Sequence, residues 1–125
     1  MKPLVLDAGA LIAIDRGTTD VRAYVLAAAS ARAELSTSSA AVAEIWRGGR
    51  QARLARFLNS DLVTEVPLDA EASRRIGALA AAVGSRDVVD AHVALIALDR
   101  DAVVLTSDPD DIARWGIPDD RIVRC

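Results

Sequence analysis

The chain has 125 residues, of which 52% are hydrophobic and only 3% aromatic, and this predicts one domain with a core of Val, Ile, Leu and Ala. Its net charge of -3 argues against a protein that binds nucleic acid over its whole surface, although it is compatible with local basic patches. No apolar run reaches the ~18 residues of a membrane span and no signal-peptide pattern follows the first residues, so we expect a cytoplasmic protein without a membrane segment.

The first half of the sequence alternates short apolar runs with helical patterns. Leu4–Leu6 predicts a strand that ends at Asp7 and turns directly into a helix over Ala8–Ile14. The elements expected next are a helix over Asp20–Ala31, a strand over Glu34–Thr37, a helix over Ala40–Trp46 with Ser38 or Ser39 as its N-cap and Gly48–Gly49 as its stop, a helix over Gln51–Leu58, and a strand over Leu62–Val66 closed by Pro67.

The second half continues this alternation. The expected elements are a helix from Asp69 to Val83, a loop at Gly84–Ser85, an almost wholly apolar helix over Val88–Leu98, a strand over Ala102–Thr106, a short helix from Asp108–Pro109 to Trp115, and a last strand over Arg121–Val123. Helices that alternate with continuously apolar strands are typical of a parallel sheet covered on both faces. We therefore predict a three-layer α/β/α fold with a parallel sheet of about five strands, formed by residues 1–125 as a single domain.

Two acidic residues closely follow predicted strands. Asp7 closes the first strand, and Asp108 follows the strand that ends at Thr106. In open parallel sheets, ligands bind in the crevice outside the carboxyl ends of the strands, so both residues are candidates for one site. Because both also precede helices, the alternative is that each is only an N-cap, a role that stabilises a helix by typically ~1 kcal/mol.

Two further acids interrupt helices that are otherwise apolar. The apolar neighbours of Glu44 leave few helix orientations that put its carboxylate in water, and Val88–Leu98 contains a single acid, Asp90. A buried carboxylate needs a nearby cation or must keep its proton. Both acids are therefore candidates for a buried charged site.

Each of these two acids also has a structural explanation. Glu44 is close enough in sequence to form an ion pair with Arg47 or Arg50. Asp90 follows Asp87 by three residues, and the two together fit the cap and the first-turn acid of a helix.

The predicted fold is expected to bring four acids together: Asp7, Glu44, Asp90 and Asp108. Carboxylates at short range repel one another, and a divalent cation removes this penalty. Ligand sets made only of oxygen atoms suit Mg²⁺ or Mn²⁺. One such ion activates a bound water, and a second stabilises the leaving oxygen of a phosphodiester, so the pattern predicts phosphodiester hydrolysis.

Four segments carry these acids along the chain: Leu4–Ala8, Ala43–Ile45, Val89–Ala97 and Val104–Asp108. In this order they resemble the PIN-domain ribonucleases, in particular the VapC-type toxins of toxin–antitoxin pairs. The resemblance implies endonucleolytic cleavage of single-stranded RNA that leaves a 5′-phosphate and a 3′-hydroxyl, with Mg²⁺ or Mn²⁺ as cofactor. It also implies an antitoxin protein as partner and a homodimer, for which the Ala- and Leu-rich helices between Asp20 and Leu58 offer an apolar face.

The resemblance assigns roles to individual residues. The catalytic and metal-binding acids of the family fall on Asp7, Glu44, Asp90 and Asp108. Thr106 matches a polar position that supports the site by hydrogen bonding, and Asp87 is a candidate supporting acid or additional ligand. We expect Asp110 and Asp111 to be solvated or to act as caps, as most surface aspartates do.

Four arginines recur every three residues after Glu44: Arg47, Arg50, Arg53 and Arg56. A helical path bent at Gly48–Gly49 would stack them into a basic stripe, which we interpret as a track for RNA phosphates. One alternative is a solvated helix face, and another is a surface for the acidic groups of an antitoxin.

The remaining distinctive side chains are interpreted as structural. His92 is the only histidine, which excludes metal-free ribonuclease chemistry based on paired histidines. Trp46, Phe57 and Trp115 are too few to stack several bases and are expected to pack against helices. Cys125 is the only cysteine, so no intramolecular disulfide forms, and we expect this terminal residue to be frayed.

Three other α/β classes lack residues that they require. A phosphoacceptor receiver domain needs a lysine near its acids, whereas Lys2 lies at the wrong end of the first strand. A haloacid-dehalogenase-like phosphatase needs an aspartate two residues after its first, where this chain has Gly9, and the glycine fingerprint of Rossmann or P-loop sites is absent. The remaining alternative is a catalytically silent module that binds RNA or a partner protein. Such a module gains nothing from keeping four repelling acids, so we favour catalysis.

Overall fold

Five parallel strands form one sheet in the structure, a computed structural model that describes residues 1–125. The strands are β1 (Leu4–Leu6), β2 (Leu35–Ser38), β3 (Thr64–Val66), β4 (Val103–Thr106) and β5 (Ile122–Arg124). Their order across the sheet is β3-β2-β1-β4-β5, and every neighbouring pair is parallel. The predicted number and direction of the strands are confirmed.

Seven α-helices connect or flank the strands: α1 (Ala8–Arg16), α2 (Thr19–Ser30), α3 (Ser39–Ile45), α4 (Ala52–Leu58), α5 (Ala70–Val83), α6 (Val88–Arg100) and α7 (Pro109–Ala113), with a 3-10 turn at Asp119–Arg121. Crossovers between parallel strands are right-handed, so α1 to α4 cover one face of the sheet and α5 to α7 the other. The packing of α1 on α2, α3 and α4, and of α6 on α5 and α7, agrees with this arrangement, and α3, which begins at the carboxyl end of β2, also contacts α6. The predicted three-layer fold is confirmed. None of the helices has the length and apolar character needed to cross a membrane.

The central strand β1 is completely buried and pairs with β2 and β4 along its whole length. The apolar core surrounds it as one continuous cluster. β2 is buried as well, although it contributes the polar residues Ser36–Ser38. Thr37 donates a hydrogen bond from Oγ1 to the carbonyl oxygen of Leu6 (2.8 Å). Ser36 donates to Oε1 of Glu34 (3.3 Å), and the hydroxyl of Ser38 bonds to Nδ1 of His92 (2.7 Å). A polar strand is therefore tolerated in the core because each of its hydroxyl groups has a hydrogen-bond partner.

The path of the chain reverses direction between β1 and β4. From β1 the chain moves outward to β2 and β3, and then returns across the sheet to β4 on the other side of β1. The gap between the carboxyl ends of β1 and β4 is therefore the topological switch point, which is where open α/β sheets bind ligands. Asp7 and Asp108 lie at this crevice.

The connection between α3 and α4 is a closed turn. α3 ends at Ile45, and the backbone of Trp46 is extended (φ -68, ψ 127). The side chain of Gln51 holds the turn, because its Oε1 accepts from the backbone N–H of Gly48 (3.2 Å) and its Nε2 donates to the carbonyl of Ile45 (2.9 Å). The chain therefore changes direction before the predicted end of the helix.

This turn corrects the prediction of one helical path for the arginines. Arg47 and Arg50 lie in the turn with exposed side chains, whereas Arg53 and Arg56 lie on α4. The latter two line a cavity together with Arg22 of α2. The prediction of a continuous basic stripe is therefore wrong, because two of the four arginines lie outside a helix.

Two predictions about single residues are also corrected. Phe57 and Trp115 are 8% and 3% exposed and pack as predicted, but Trp46 is 40% exposed because α3 ends before it. Cys125 is not frayed: its backbone N–H donates to the carbonyl of Thr106 (2.9 Å), and the residue is half-buried.

His92 is fully buried on α6. Its Nδ1 shares a hydrogen bond of 2.7 Å with the hydroxyl of Ser38, and that hydroxyl also accepts from the backbone N–H of Ala41 (3.2 Å) as the N-cap of α3. Burial lowers the pKa of His92 more than the charge of Asp69 raises it, so the ring is neutral at pH 7. The structural role predicted for His92 agrees with these contacts.

Replacing Ser38 should cost more stability than replacing an exposed helix cap. Ser38→Ala removes the cap of α3 and leaves buried Nδ1 of His92 without a partner, so we expect a loss of ~2–3 kcal/mol in the free energy of unfolding. Asp69→Ala, which removes the exposed cap of α5 at Ala72, should cost only ~1 kcal/mol. Urea denaturation of both variants measures the difference, and equal losses would contradict a contribution from the His92 contact.

Candidate active site

Asp7 follows β1 directly and is 7% exposed. Its Oδ1 accepts a hydrogen bond from the backbone N–H of Ala10 (2.9 Å), which begins α1. Burial raises the pKa of its carboxyl, hydrogen bonds led by that of Thr106 lower it, and the charge of Asp108 raises it further. Asp7 therefore caps a helix and also belongs to a group of interacting carboxylates.

Thr106, fully buried at the end of β4, links the two strand ends. Its Oγ1 accepts from the backbone N–H of Asp108 (2.9 Å), and its hydroxyl lies close enough to the carboxylate of Asp7 to lower the pKa of that carboxyl. Asp108 precedes α7, yet its side chain makes no capping hydrogen bond. The capping alternative therefore does not hold for Asp108, whose side chain is exposed at the crevice.

Asp90 lies in the first turn of α6. Its backbone N–H donates to Oδ1 of Asp87, the N-cap of the helix (3.0 Å), which is the helix-start arrangement considered above. Asp90 is half-buried. Burial raises its pKa, and the charges of Asp87, Asp111 and Asp7 raise it further, to about 7. Asp90 thus interacts electrostatically with Asp7 at the end of β1 and with Asp111 on α7.

Asp111 also belongs to this group. It lies in the first turn of α7 with a side chain that is 44% exposed, which is compatible with the solvated or capping role expected for it. Its side chain lies beside that of Asp108, and this neighbour raises the pKa of the Asp111 carboxyl. Arg114 lies 3.7 Å from it. The sequence contained a signal, since Asp108 and Asp111 are three residues apart at a helix start and such residues share one face. Asp110 is exposed, as predicted.

Glu44 lies in the last turn of α3 with an exposed side chain. The prediction that its apolar neighbours would bury it is wrong: only Ala40 and Ala41, in the first turn of this short helix, are buried, and the helix ends one residue after Glu44. Glu44 forms no ion pair with Arg47 or Arg50 either, since the ion pairs of the structure join other residues. Neither explanation considered for this residue describes its surroundings.

The structure does not couple Glu44 to the other acids. Its charge contributes to the pKa of neither Asp7 nor Asp90. Its helix, α3, nevertheless packs against α1, which Asp7 caps, and against α6, which carries Asp90. Glu44 therefore lies on an element in contact with the crevice, and its membership of the site stays a prediction.

Five carboxylates interact at the crevice: Asp7, Asp87, Asp90, Asp108 and Asp111. No three or more acidic, His or Cys side chains are arranged as a preformed metal-binding group. The donor chemistry nevertheless fits a hard divalent cation, because Mg²⁺ prefers carboxylate oxygens and keeps several of its waters. The raised pKa of Asp90 reflects burial first and neighbouring negative charge second, and a cation bound there would favour the ionised carboxylate.

Cavities lie on both sides of the crevice. One of about 490 Å³ is bounded in part by Gly9 and Ser107, and one of about 370 Å³ by Asp87, Asp90 and Asp111. A Cβ atom on Gly9 would overlap Oγ of Ser107 and lie 2.9 Å from its Cβ. The loop after β4 can therefore approach α1 only because position 9 has no side chain.

A doubly wound parallel sheet with carboxylates at its switch point defines an α/β domain with an acidic site at the ends of β1 and β4. The sequence matches the family model described as PIN domain over residues 4–116, and the chain belongs to the PIN domain family. The family resemblance noted in the sequence is thereby confirmed.

The fold is similar to that of a chain in the crystal structure of VapBC2 from Rickettsia felis bound to a DNA fragment from their promoter. The TM-score is 0.70, the match covers 97% of this chain and 97% of that chain, and the sequence identity is 17%. At this identity the likeness concerns the fold. No curated protein matches the sequence significantly.

Asp90→Asn should stabilise the metal-free protein at pH 8 and change its stability much less at pH 5. The folded pKa of about 7 lies above the unfolded value of ~3.9. Stability contributed by the protonated carboxyl is therefore lost as the pH rises through 7. Thermal unfolding at both pH values measures the effect, with the exposed Asp61→Asn as control. A shift in melting temperature that is the same at both pH values would contradict the coupling of Asp90 to its neighbours.

Proposed function

We propose that the chain is a metal-dependent endoribonuclease that cleaves single-stranded RNA. The observation that supports this most is the interaction of Asp7, Asp90 and Asp108 at the switch point, with the pKa of Asp90 raised to about 7. Perturbed carboxylates that gather in a crevice are typical of sites that bind a cation and act on a substrate. Membership of the PIN domain family supports nuclease activity.

The proposed ligands of Mg²⁺ or Mn²⁺ are Asp7, Asp90 and Asp108, with Glu44 reaching the site from α3 and Asp87 as a supporting acid. One or two ions fit this proposal. When bound, a divalent ion lowers the pKa of its water and offsets charge on the leaving oxygen of a phosphodiester.

The residues of the chain position these carboxylates before substrate arrives. Asp7 is oriented by the backbone N–H of Ala10 and by Thr106, and Thr106 also fixes the backbone of Asp108. Such supporting hydrogen bonds keep ligands in a productive orientation.

RNA phosphates are proposed to contact Arg47, Arg50 and Arg53. The first two are exposed in the turn that follows the helix of Glu44, and Arg53 is exposed on α4. Arginines contribute affinity for phosphates that does not depend on base sequence.

We further propose a VapC-type toxin that binds a cognate antitoxin protein. A relative in fold was crystallised as VapBC2 with promoter DNA. In this chain a cavity of about 340 Å³ is lined by Arg22, Arg53, Arg56 and the exposed Leu26, which suits an acidic and partly apolar segment of such a partner. A homodimer, a single domain over 1–125 and a cytoplasmic location are further parts of this proposal.

The nuclease proposal predicts cleavage of labelled single-stranded RNA by the pure protein with Mg²⁺ or Mn²⁺ and none with chelator. Asp7→Asn and Asp108→Asn should each lower the rate by ~100-fold or more, because changes one contact further from a metal already cost ~10–100-fold. Asp110→Asn, an exposed neighbour on α7, is the matched control. Gel analysis with duplex RNA and single-stranded DNA as further arms tests the substrate class. Cleavage that survives Asp7→Asn would refute the proposed site.

Glu44→Gln is expected to lower the same cleavage rate while leaving the melting temperature unchanged, because the side chain is exposed and makes no ion pair. Glu71→Gln changes an exposed acid on α5 in the same way and should leave the rate unchanged. If both variants cleave RNA at the same rate, Glu44 does not belong to the site. The proposal for Asp7, Asp90 and Asp108 would be unaffected.

A further inference from the structure

The cavity of about 490 Å³ beside the crevice is not used by the proposed reaction. We call it the α1–α2 cavity, because it lies between these helices and the ends of β4 and β5. Gly9 and Ser107 form the wall that it shares with the crevice. Gly9 is two residues from Asp7, and Ser107 directly precedes Asp108. A ligand in this cavity would therefore lie next to whatever occupies the acidic site.

One wall of the α1–α2 cavity is apolar. Ile12 and Ala13 of α1 line it, and Ile12 is one of the few large apolar side chains of the chain that remain exposed (36%). The volume lies within the ~300–1,000 Å³ range of pockets that bind small molecules, in which apolar walls are combined with a few polar groups. This wall suits the face of a flat, apolar ring.

The other side of the α1–α2 cavity carries polar groups that have no partner in the protein. Arg16, Thr19 and Asp20 line it. The ion pairs of the structure are formed by other residues, and the hydroxyl of Thr19 does not cap α2, whose N-cap is Thr18. The cavity thus offers a guanidinium, a hydroxyl and a carboxylate that are all free to bind a ligand.

We propose that the α1–α2 cavity binds one nucleotide of the RNA next to the scissile phosphate, with the base against Ile12 and Ala13 and a phosphate toward Arg16. This inference rests on the proposed function. A nucleotide matches the lining, because a base has apolar faces and polar edges and its phosphate is an anion. The carboxylate of Asp20 accepts a hydrogen bond from an exocyclic amino group, so the cavity favours cytosine, adenine or guanine over uracil.

The first test measures occupancy without cleavage. Cys125 lines the cavity and is the only cysteine of the chain, so the rate of its alkylation reports whether the cavity is filled. In chelator at constant pH, a saturating single-stranded oligoribonucleotide should slow alkylation severalfold. Arg16→Ala should require more RNA for the same protection, whereas Arg74→Ala, an exposed arginine on α5, should require no more than the parent. Cytidine monophosphate alone serves as an arm that separates a free nucleotide from a nucleotide held in RNA.

The second test blocks the cavity. Thr19→Trp adds a large ring at the exposed first residue of α2 and should raise KM for RNA and change which sites are cut, with little change in kcat. Thr64→Trp makes the same substitution at an exposed position of β3 and should change neither. If Thr19→Trp does not fold, Arg16→Ala carries this comparison, with a raised KM as the expected result.

The two proposals fail in different ways. If the parent cleaves RNA but RNA leaves Cys125 unprotected and the cavity variants keep the KM and cut sites of the parent, the nucleotide cavity is refuted and the nuclease stands. If the parent does not cleave but RNA still protects Cys125 and Arg16→Ala weakens that protection, the nuclease is refuted, and the cavity stands as a nucleotide-binding site without a scissile phosphate beside it. Absence of both cleavage and protection refutes both.

Discussion

Repulsion between carboxylates at the ends of β1 and β4 is the constraint on which the rest of this structure depends. Burial raises the pKa of Asp7, and burial together with neighbouring charges raises that of Asp90 to about 7. Without a cation, these buried and repelling carboxylates lower the stability of the folded chain. The apolar core around β1, which is one continuous cluster, offsets this loss because it stabilises the strands that the acids follow. A chain under no functional demand would reduce the cost by replacing one of these acids with a neutral residue.

The crevice has a part fixed by hydrogen bonds and a part exposed to solvent. Asp7 accepts a hydrogen bond from the backbone of Ala10, and Thr106 accepts one from the backbone of Asp108. Both acids follow buried strands, so their geometry is set by the sheet. Glu44 and Arg47 lie on a short helix and in the turn after it, with exposed side chains. Under the proposed function the fixed part holds the cation, and the exposed part adapts to a long and flexible substrate.

The sequence predicted the location of a side chain where a single helix or strand determines it. It did not predict the location where the packing of several elements determines it. Asp7 and Asp108 were found because a strand end fixes the location of the next residue, and Asp90 because its helix is otherwise apolar. Glu44 was expected to be buried, but the side of α3 that faces the core is chosen by its packing against α1 and α6. The sequence assigned Asp111 a solvated or capping role, and its proximity to Asp108 and Asp90 was not predicted, since the position of the short helix α7 depends on its packing against the sheet.

Both edge strands of the sheet, β3 and β5, are only three residues long. An exposed strand edge is a template on which another chain can add a strand, and its capacity grows with the number of unpaired backbone groups. Edges this short allow only a few intermolecular hydrogen bonds, so they do not readily support fibre-like growth by strand addition. Association between copies of this chain is therefore expected to depend on side-chain contacts more than on strand pairing, and single substitutions can then weaken or abolish it.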